Sequence, residues 1–260
     1  MSATLADAVE TIGRVVATER VGEYQILTLR APEIARRTMP GQFAMIEAGS
    51  VLRRPFSIFR AAADTLSVAF DIIGDGTRWL ATRALGDELA LAGPLGSAFS
   101  REAGGTTIAV GGGYGAAPLF LYAERARAVG EAVHAVLGAA RAARVFGRDD
   151  AQHIFDSVAV TTEDGSLGTK GLVTDVLAEA AARTGARRVV ACGPMPMLAA
   201  VSERCRDLNL ACEVAVEEFM ACGIGVCWTC VIPMNGAGDP TNQRSCTEGP
   251  VFDGRAVAWG

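Results

Sequence analysis

Through roughly the first hundred residues, apolar positions recur every second residue in short runs, and turn-forming residues interrupt each run. The runs are "GRVVATERVGEYQILTLRA", "GQFAMIEA", "PFSIFRA", "TLSVAFDIIG" and "DELALAGPLG", punctuated by Pro40-Gly41, Gly74, Gly76 and Gly93-Pro94. Period-two alternation with frequent turns predicts about six antiparallel strands closed into a barrel, with one short helix through "RWLATRAL" after Thr77.

The rhythm changes near residue 105. "TTIAV" reads as a buried strand, "GGGYGAAP" as a glycine loop and "LFLYAERARAVG" as a helix; "AVHAVLGAA", "SVAVTTE", "LVTDVLAEAAART", "RRVVACG", "MPMLAAVSERCRDLN" and "ACEVAVEE" continue the alternation. Strands alternating with helices of this length predict βαβ units in a parallel sheet. From about 217 onward the chain is rich in Cys and Gly without helical periodicity. The expected architecture is β plus α/β: an antiparallel barrel over 1–103, a parallel-sheet nucleotide-binding domain over 104–214 and a small C-terminal unit over 215–260.

The chain has 260 residues, half of them hydrophobic, which suffices for more than one core. Its formal charge of -5, and the absence of any Lys/Arg cluster interleaved with aromatics, argue against a nucleic-acid partner. No run of 18 or more apolar residues is present to span a bilayer, and "MSATLADAVETIGRVV" has no basic segment leading into an apolar one. A cytoplasmic setting is therefore expected, where seven cysteines point to metal or redox work before disulfides.

Gly111, Gly112, Gly113 and Gly115 follow a strand and open a helix, a loop that lets backbone N–H groups approach a pyrophosphate. About 25 residues on, where an acidic ribose ligand is usual, stand Arg141 and Arg144. They would hold a 2′-phosphate or lie on a solvated face, so NAD and NADP both stay open. Cys192, Gly193 and Pro194 end a second buried strand at the carboxyl edge where such sheets bind ligands, although Cys192 taken alone reads as a small buried hydrophobe. In the barrel, "RRPFSIF" offers a cation, a ring and a hydroxyl on one strand, or simply an edge strand with surface Arg. Gly74, Gly76 and Thr77 precede the short helix, with Thr77 also suited to capping it.

Cys222, Cys227 and Cys230 are spaced C-x4-C-x2-C, and fifteen residues separate Cys230 from Cys246. This is the plant-type [2Fe-2S] spacing, with Gly223 and Gly225 allowing the loop to wrap closely. A structural zinc takes the same donors but usually pairs two short knuckles, and Cys246 has no near partner. Cys205 and Cys212 read as core thiols, and His134 and His153 as structural or surface residues. No nucleophile–base or acid–base constellation is present, so no catalytic residue for carbon chemistry is assigned.

With "RRPFSIF", "GDGT", "GPLG", "GGGYGAAPL", "DGSLGTKG", "CGPMPML" and "CGIGVCWTC" in this order, the chain resembles the ferredoxin-NADP reductase superfamily. Within it, the sequence is most similar to the electron-transfer subunits of NAD-linked dihydroorotate dehydrogenases, from about residue 12 to 255. The resemblance implies FAD in the barrel, NAD(H) in the α/β domain and a [2Fe-2S] cluster, working beside an FMN-containing catalytic subunit in a complex of two plus two. It implies a relay in pyrimidine biosynthesis: electrons from dihydroorotate pass singly through the cluster to FAD and leave as hydride to NAD. Arg54, Pro55, Phe56 and Ser57 match the family's flavin motif, with Arg54 on the pyrophosphate and Ser57 near the ring. Gly76 and Thr77 match the second phosphate contact, Ala69, Phe70 and Asp71 lie beside the flavin, and Cys222, Cys227, Cys230 and Cys246 match the cluster ligands. Phe56 stands where Tyr is frequent, keeping stacking without the hydroxyl, and Trp228 is bulkier than the usual residue, shielding the cluster, meeting the partner or filling a core. Electron-input subunits of hydrogenases or of bifurcating NADH–ferredoxin enzymes share these motifs; a zinc-stapled nucleotide module is the reading from another class.

Overall fold

A computed structural model describes residues 8–236 and 241–260; residues 1–7, part of the N-terminal stretch read for a leader, lie outside them. β1 (Val9–Val21) turns at Gly22 into β2 (Tyr24–Arg30), which the four-residue helix α1 (Pro32–Ala35) joins to β3 (Phe43–Ile46). β4 (Arg54–Ala61), β5 (Thr65–Phe70), α2 (Asp75–Ala81) and β6 (Glu88–Leu95) follow. The strands close in the order β1-β2-β5-β4-β3-β6, all antiparallel, so the barrel leaves no unpaired edge. Its interior is filled by Leu27, Leu29, Ile46, Ile58, Leu66, Val68, Leu89 and Leu91, the inward half of the alternating runs.

β7 (Thr106–Gly112) leads through a 3₁₀ turn, Gly113–Ala116, into α3 (Ala117–Arg127). β8 (Ala132–Ala139), α4 (Arg148–Ile154), β9 (Ser157–Thr162), β10 (Thr169–Lys170) and α5 (Val173–Thr184) come next, then β11 (Arg188–Cys192), α6 (Met195–Asp207) and β12 (Ala211–Ala215). β7 and β11 are apolar along their whole middle because α3 covers one face of the sheet while α5 and α6 cover the other. A hairpin, β13 (Val231–Met234) with β14 (Thr241–Arg244), and β15 (Val251–Asp253) complete the chain.

The large sheet runs β10-β9-β8-β7-β11-β12-β15. Its last strand comes from the C-terminal segment and pairs antiparallel to β12. The Cys-rich segment is thus tied into the nucleotide domain by three residues too short to show a periodicity. The helix expected after Thr77 begins at Asp75, with Thr77 as its third residue. The barrel and sheet share one apolar cluster, in which Tyr24, Ile26, Phe59 and Ala69 meet Leu119, Phe120, Tyr122 and Phe146. Burying each of these large side chains is worth about 1.5–3 kcal/mol, enough to hold the two bodies in one orientation.

Candidate functional site

Parallel register aligns the carboxyl ends of four strands. Cys192 lies opposite Gly111, Gly112 opposite Gly138, and Gly138 opposite Thr161. After β7 the chain crosses to β8 on one side, whereas β11 lies on the other, so the loops diverge and leave a crevice between them. A cavity of about 470 Å³ occupies it, bordered by Gly112, Gly113, Tyr114, Gly115, Gly193 and Pro194. Gly111 and Cys192 sit one residue deeper. The two glycine turns meet backbone to backbone: a Cβ on Gly115 would stand 2.7 Å from Gly193 Cα.

The cavity wall is acidic. Burial, and then the nearby Glu217 carboxylate, push the Cys192 thiol up to about 12. The same two causes in the same order raise the Tyr114 phenol to about 12, and its hydroxyl donates to Glu217 Oε1 at 3.4 Å. Both groups therefore stay neutral across physiological pH. Glu163, one residue past β9, also borders the cavity. Thr161 Oγ1, on a cavity-lining residue, is buried without a hydrogen-bond partner among the described residues, as expected of a strand end completed by a ligand. Arg141 forks onto Glu23 at 2.7 and 3.0 Å, and Arg144 pairs with Asp71 and Glu23 beneath the Tyr24 ring. These arginines clamp the barrel to the nucleotide domain.

On the barrel, Arg54, Pro55 and Ser57 leave part of their surface open, while Phe56 turns into the core against Phe70, 5.7 Å between ring centroids. Little of the Phe56 face is left for stacking, since the residue is 7% exposed. The open aromatic beside Arg54 is Phe219, 60% exposed, its ring 5.8 Å from the guanidinium. Gly76 comes close to Arg54 as well, so the start of α2 and the β4 cation face one spot. The Thr77 hydroxyl accepts the Ile73 and Gly74 amides at 3.0 and 3.1 Å, which is the capping role. Ala69 faces the sheet domain, Phe70 the barrel core, and Asp71 holds Arg144. Sequence reasoning missed Glu163, Glu217 and Phe219, which stand one, two and four residues past a strand and carry no other signal.

The four cysteines converge. Cys222 lies near enough to Cys227, and Cys230 and Cys222 near enough to Cys246, for each to bear on the other's ionisation, which sets Cys222 with Cys227 and Cys230 with Cys246. Four thiols drawn from C-x4-C-x2-C and one distant Cys are the donor set of a two-iron group, whereas a lone zinc usually takes two short knuckles. Ser245 Oγ, beside Cys246, is buried and unpartnered among the described residues, as a bound polar group would leave it. The Thr229 hydroxyl at 3.2 Å, with the Thr229 and Cys222 amides, lowers the exposed Cys227 thiol to about 6, which favours the ligating thiolate. Burial, and then Cys230, raise Cys246 to about 12. Gly223 and Gly225 take left-handed φ of 71° and 81°, and a Cβ on them would meet Met45 and Thr247 within 2.6 and 2.8 Å. Cys230 and Cys246 pack with Met220 on Phe43, Met45 and Leu95 of the barrel wall.

Arg244 staples this loop, donating to Gly225 O at 2.9 Å, pairing with Glu248 and lying 4.9 Å from the Trp228 ring. Trp228 itself is 56% exposed with φ of 58°, which excludes the core-filling role. Arg244→Ala is expected to leave the thiol set intact yet bleach about 10–100-fold faster under a chelator, the usual cost of losing a group that orients a ligand. An unchanged bleaching rate would remove the staple role. His134 Nδ1 meets Ser157 at 2.9 Å, and Cys205 and Cys212 are buried beside each other, consistent with structural parts.

Residues 217–258 match the family model described as the iron-sulfur cluster binding domain of dihydroorotate dehydrogenase B. The chain is 34% identical over 236 residues to the dihydroorotate dehydrogenase B (NAD(+)) electron transfer subunit of Desulforamulus reducens, covering 88% of this chain and 90% of that one. It is 36% identical to the subunit of the same description from Bacillus velezensis, covering 89% and 92%. Among solved structures it superposes on the NADH-dependent reduced ferredoxin-NADP oxidoreductase of flavin-based electron bifurcation with a TM-score of 0.86 at 26% identity, over 96% of this chain and 90% of that one. The ferredoxin reductase of carbazole 1,9a-dioxygenase shares the fold, with a TM-score of 0.65 at 23% identity over 78% and 67%.

Proposed function

The chain belongs to the family of dihydroorotate dehydrogenase B electron-transfer subunits, and from that premise we propose that it carries electrons between NAD and a separate subunit that oxidises dihydroorotate in pyrimidine biosynthesis. The observation that supports this most is the gathering of four thiols, two of them seated on the wall of a barrel that also abuts a cavity of about 470 Å³. When bound, FAD supplies exchange between a hydride and single electrons, and the cluster supplies single-electron carriage.

The chain's own residues would divide the work as follows. Residues 1–103 hold FAD: Arg54 neutralises the pyrophosphate with the backbone at Gly76 and Thr77, Pro55 and Ser57 border the flavin, Phe56 and Phe70 back it from the core, and Ala69 and Asp71 stand behind it at the junction with the sheet; Phe219, from the C-terminal unit, covers it. Residues 104–214 hold NAD(H), with Gly111, Gly112, Gly113 and Gly115 facing Cys192, Gly193 and Pro194. Residues 215–260 hold the cluster on Cys222, Cys227, Cys230 and Cys246.

The inner pair, Cys230 and Cys246, rests on the barrel, and the outer pair surrounds an exposed apolar rim of Ile224, Val226 and Trp228. That rim suits a docked partner, an FMN-containing catalytic subunit in a cytoplasmic complex of two copies each. Trp228→Ala is expected to weaken association about 10-fold or more, as for an aromatic anchor, with the visible spectrum unchanged; sedimentation of the mixed subunits measures it. Co-expression with an FMN barrel subunit followed by orotate-dependent NADH oxidation tests the whole reading, and NADH–dye turnover without any orotate coupling would refute the partner. The close superposition on the bifurcating enzyme favours, as a second reading, an NADH-input subunit of such a complex.

A further inference from the structure

We propose that Thr229 sets how readily the cluster takes up an electron: its hydroxyl donates to Cys227 Sγ at 3.2 Å, stabilises the added negative charge and so raises the reduction potential. The proposal rests on the reading that the four cysteines hold a [2Fe-2S] cluster, and it makes Thr229 a positioning residue that acts through a ligand.

Three observations lead to it. First, the contact is singular. Among the described residues it is the one side-chain hydrogen bond onto any of the four cysteines. Cys230 and Cys246 are buried against Phe43, Met45 and Leu95, apolar side chains with no proton to donate. Hydrogen bonds to the ligand sulfurs are among the factors that set the potential of such a group, because the reduced form carries one more negative charge and holds the donor more strongly.

Second, the backbone is bent to place that hydroxyl. Trp228 has φ of 58°, and Asn209 is the other non-glycine residue with positive φ among those described. For a bulky side chain such a conformation is strained, so it persists only where the surroundings hold it. Here they do. The Trp228 ring lies 4.9 Å from the Arg244 guanidinium, which also donates to Gly225 O at 2.9 Å and pairs with Glu248. The left-handed turn directly after Cys227 brings the side chain two residues on back over the sulfur. Third, the contact lies on the outside: Cys227 and Thr229 are exposed, beside the rim of Ile224, Val226 and Trp228. Water serves an exposed sulfur only until a partner covers it, whereas a hydroxyl from the loop itself stays when that water is expelled. The raised potential therefore persists in the docked complex. One electron from a reduced flavin of the partner is taken up and then passed to FAD; no bond forms or breaks, and the Thr229 proton stays on its oxygen.

The test uses the full chain loaded with FAD and the cluster. Thr229→Val keeps the shape and removes the donor; Thr229→Ser keeps the donor and removes the methyl. The midpoint potential is read from a redox titration followed by EPR of the reduced form, with iron and acid-labile sulfide assayed on each sample. We expect Thr229→Val to weaken uptake of the electron about tenfold, a midpoint about 59 mV lower, and Thr229→Ser to stay within about twofold of the parent. Resonance Raman supplies a second readout: an Fe–S(Cys) band should shift between water and heavy water in the parent and in Thr229→Ser, and shift less in Thr229→Val. A Thr229→Val midpoint matching the parent's, with iron and sulfide retained, would overturn the proposal and leave the cluster standing. An equal fall in Thr229→Val and Thr229→Ser would assign the effect to packing and overturn it as well. If Thr229→Val holds no cluster, Thr229→Ala makes the same comparison, and loss from both would make the hydroxyl an assembly element, again overturning the assignment. A parent that takes up no iron or sulfide on reconstitution would overturn the cluster reading itself.

Discussion

Cys246→Ser should abolish transfer to the partner subunit while leaving NADH oxidation by an artificial acceptor near its original rate. Cys246 reaches Cys230 across the turn after β14 and is buried at 1% exposure against the barrel wall. Losing it breaks the inner of the two thiol pairs, so the loss should far exceed the roughly 10–100-fold cost of removing a residue that only orients a ligand. The flavin and dinucleotide sites use other segments and keep their contacts. Iron and acid-labile sulfide content, the visible spectrum and the two activities measured side by side provide the check. Cys205→Ala serves as the control: it removes a thiol from the buried face of α6 and should cost stability without touching the spectrum. A Cys246→Ser protein that retains its iron and its coupling to the partner would eliminate the cluster assignment.

The barrel, the parallel sheet and the cysteine set could be read before any coordinates because each rests on a periodic or spaced signal. Alternation over β1 to β6 and unbroken apolar runs in β7 and β11 repeat a local rule, and C-x4-C-x2-C is a spacing specific enough to be read from one occurrence. What escaped was carried by single residues whose role exists only after folding. Glu163 and Glu217 each stand one or two residues beyond a strand, and nothing in "TTEDG" or "AVEEF" distinguishes a cavity wall from a solvated turn. Arg141 and Arg144 stand at the end of β8, where an acid is usual, whereas register places the end of β9 at the same cavity. Those two arginines found their partners, Glu23 and Asp71, more than seventy positions away on the barrel. Such pairings are tertiary and invisible to spacing.

The aromatic beside Arg54 makes the same point from the other direction. Phe56 lies within a motif that promises a stacking ring, but alternation along β4 sends it inward with Phe70, and the barrel core claims it. Phe219 belongs to a different segment and arrives next to Arg54 because Met220 is anchored among Phe43, Met45 and Leu95. One short stretch, Glu217 to Met220, therefore touches the cavity, the β4 cation and the cluster loop in four residues. That stretch and the Arg144 clamp hold the barrel, the sheet and the cysteine loop together.

Gly115→Ala should raise the KM for NADH about 5- to 150-fold with the flavin spectrum retained. The added Cβ would stand 2.7 Å from Gly193 Cα and 3.1 Å from its amide nitrogen. Both are backbone atoms at the end of β11 and cannot swing aside as a side chain would. Overpacking of this kind costs about 1–3 kcal/mol, and each 1.4 kcal/mol is tenfold in affinity, which sets the range above. The strain is relieved by parting the two glycine turns, and those turns border the cavity from opposite strands, so coenzyme affinity takes the loss before the sheet does. Gly115 itself has no left-handed φ, so the effect isolates contact from backbone strain. Steady-state kinetics with NADH and a dye, alongside flavin absorbance and a thermal melt, separate a local opening from general unfolding. If KM stays within twofold of the parent while the melt falls by several degrees, the two turns contribute to stability alone and the dinucleotide must bind elsewhere.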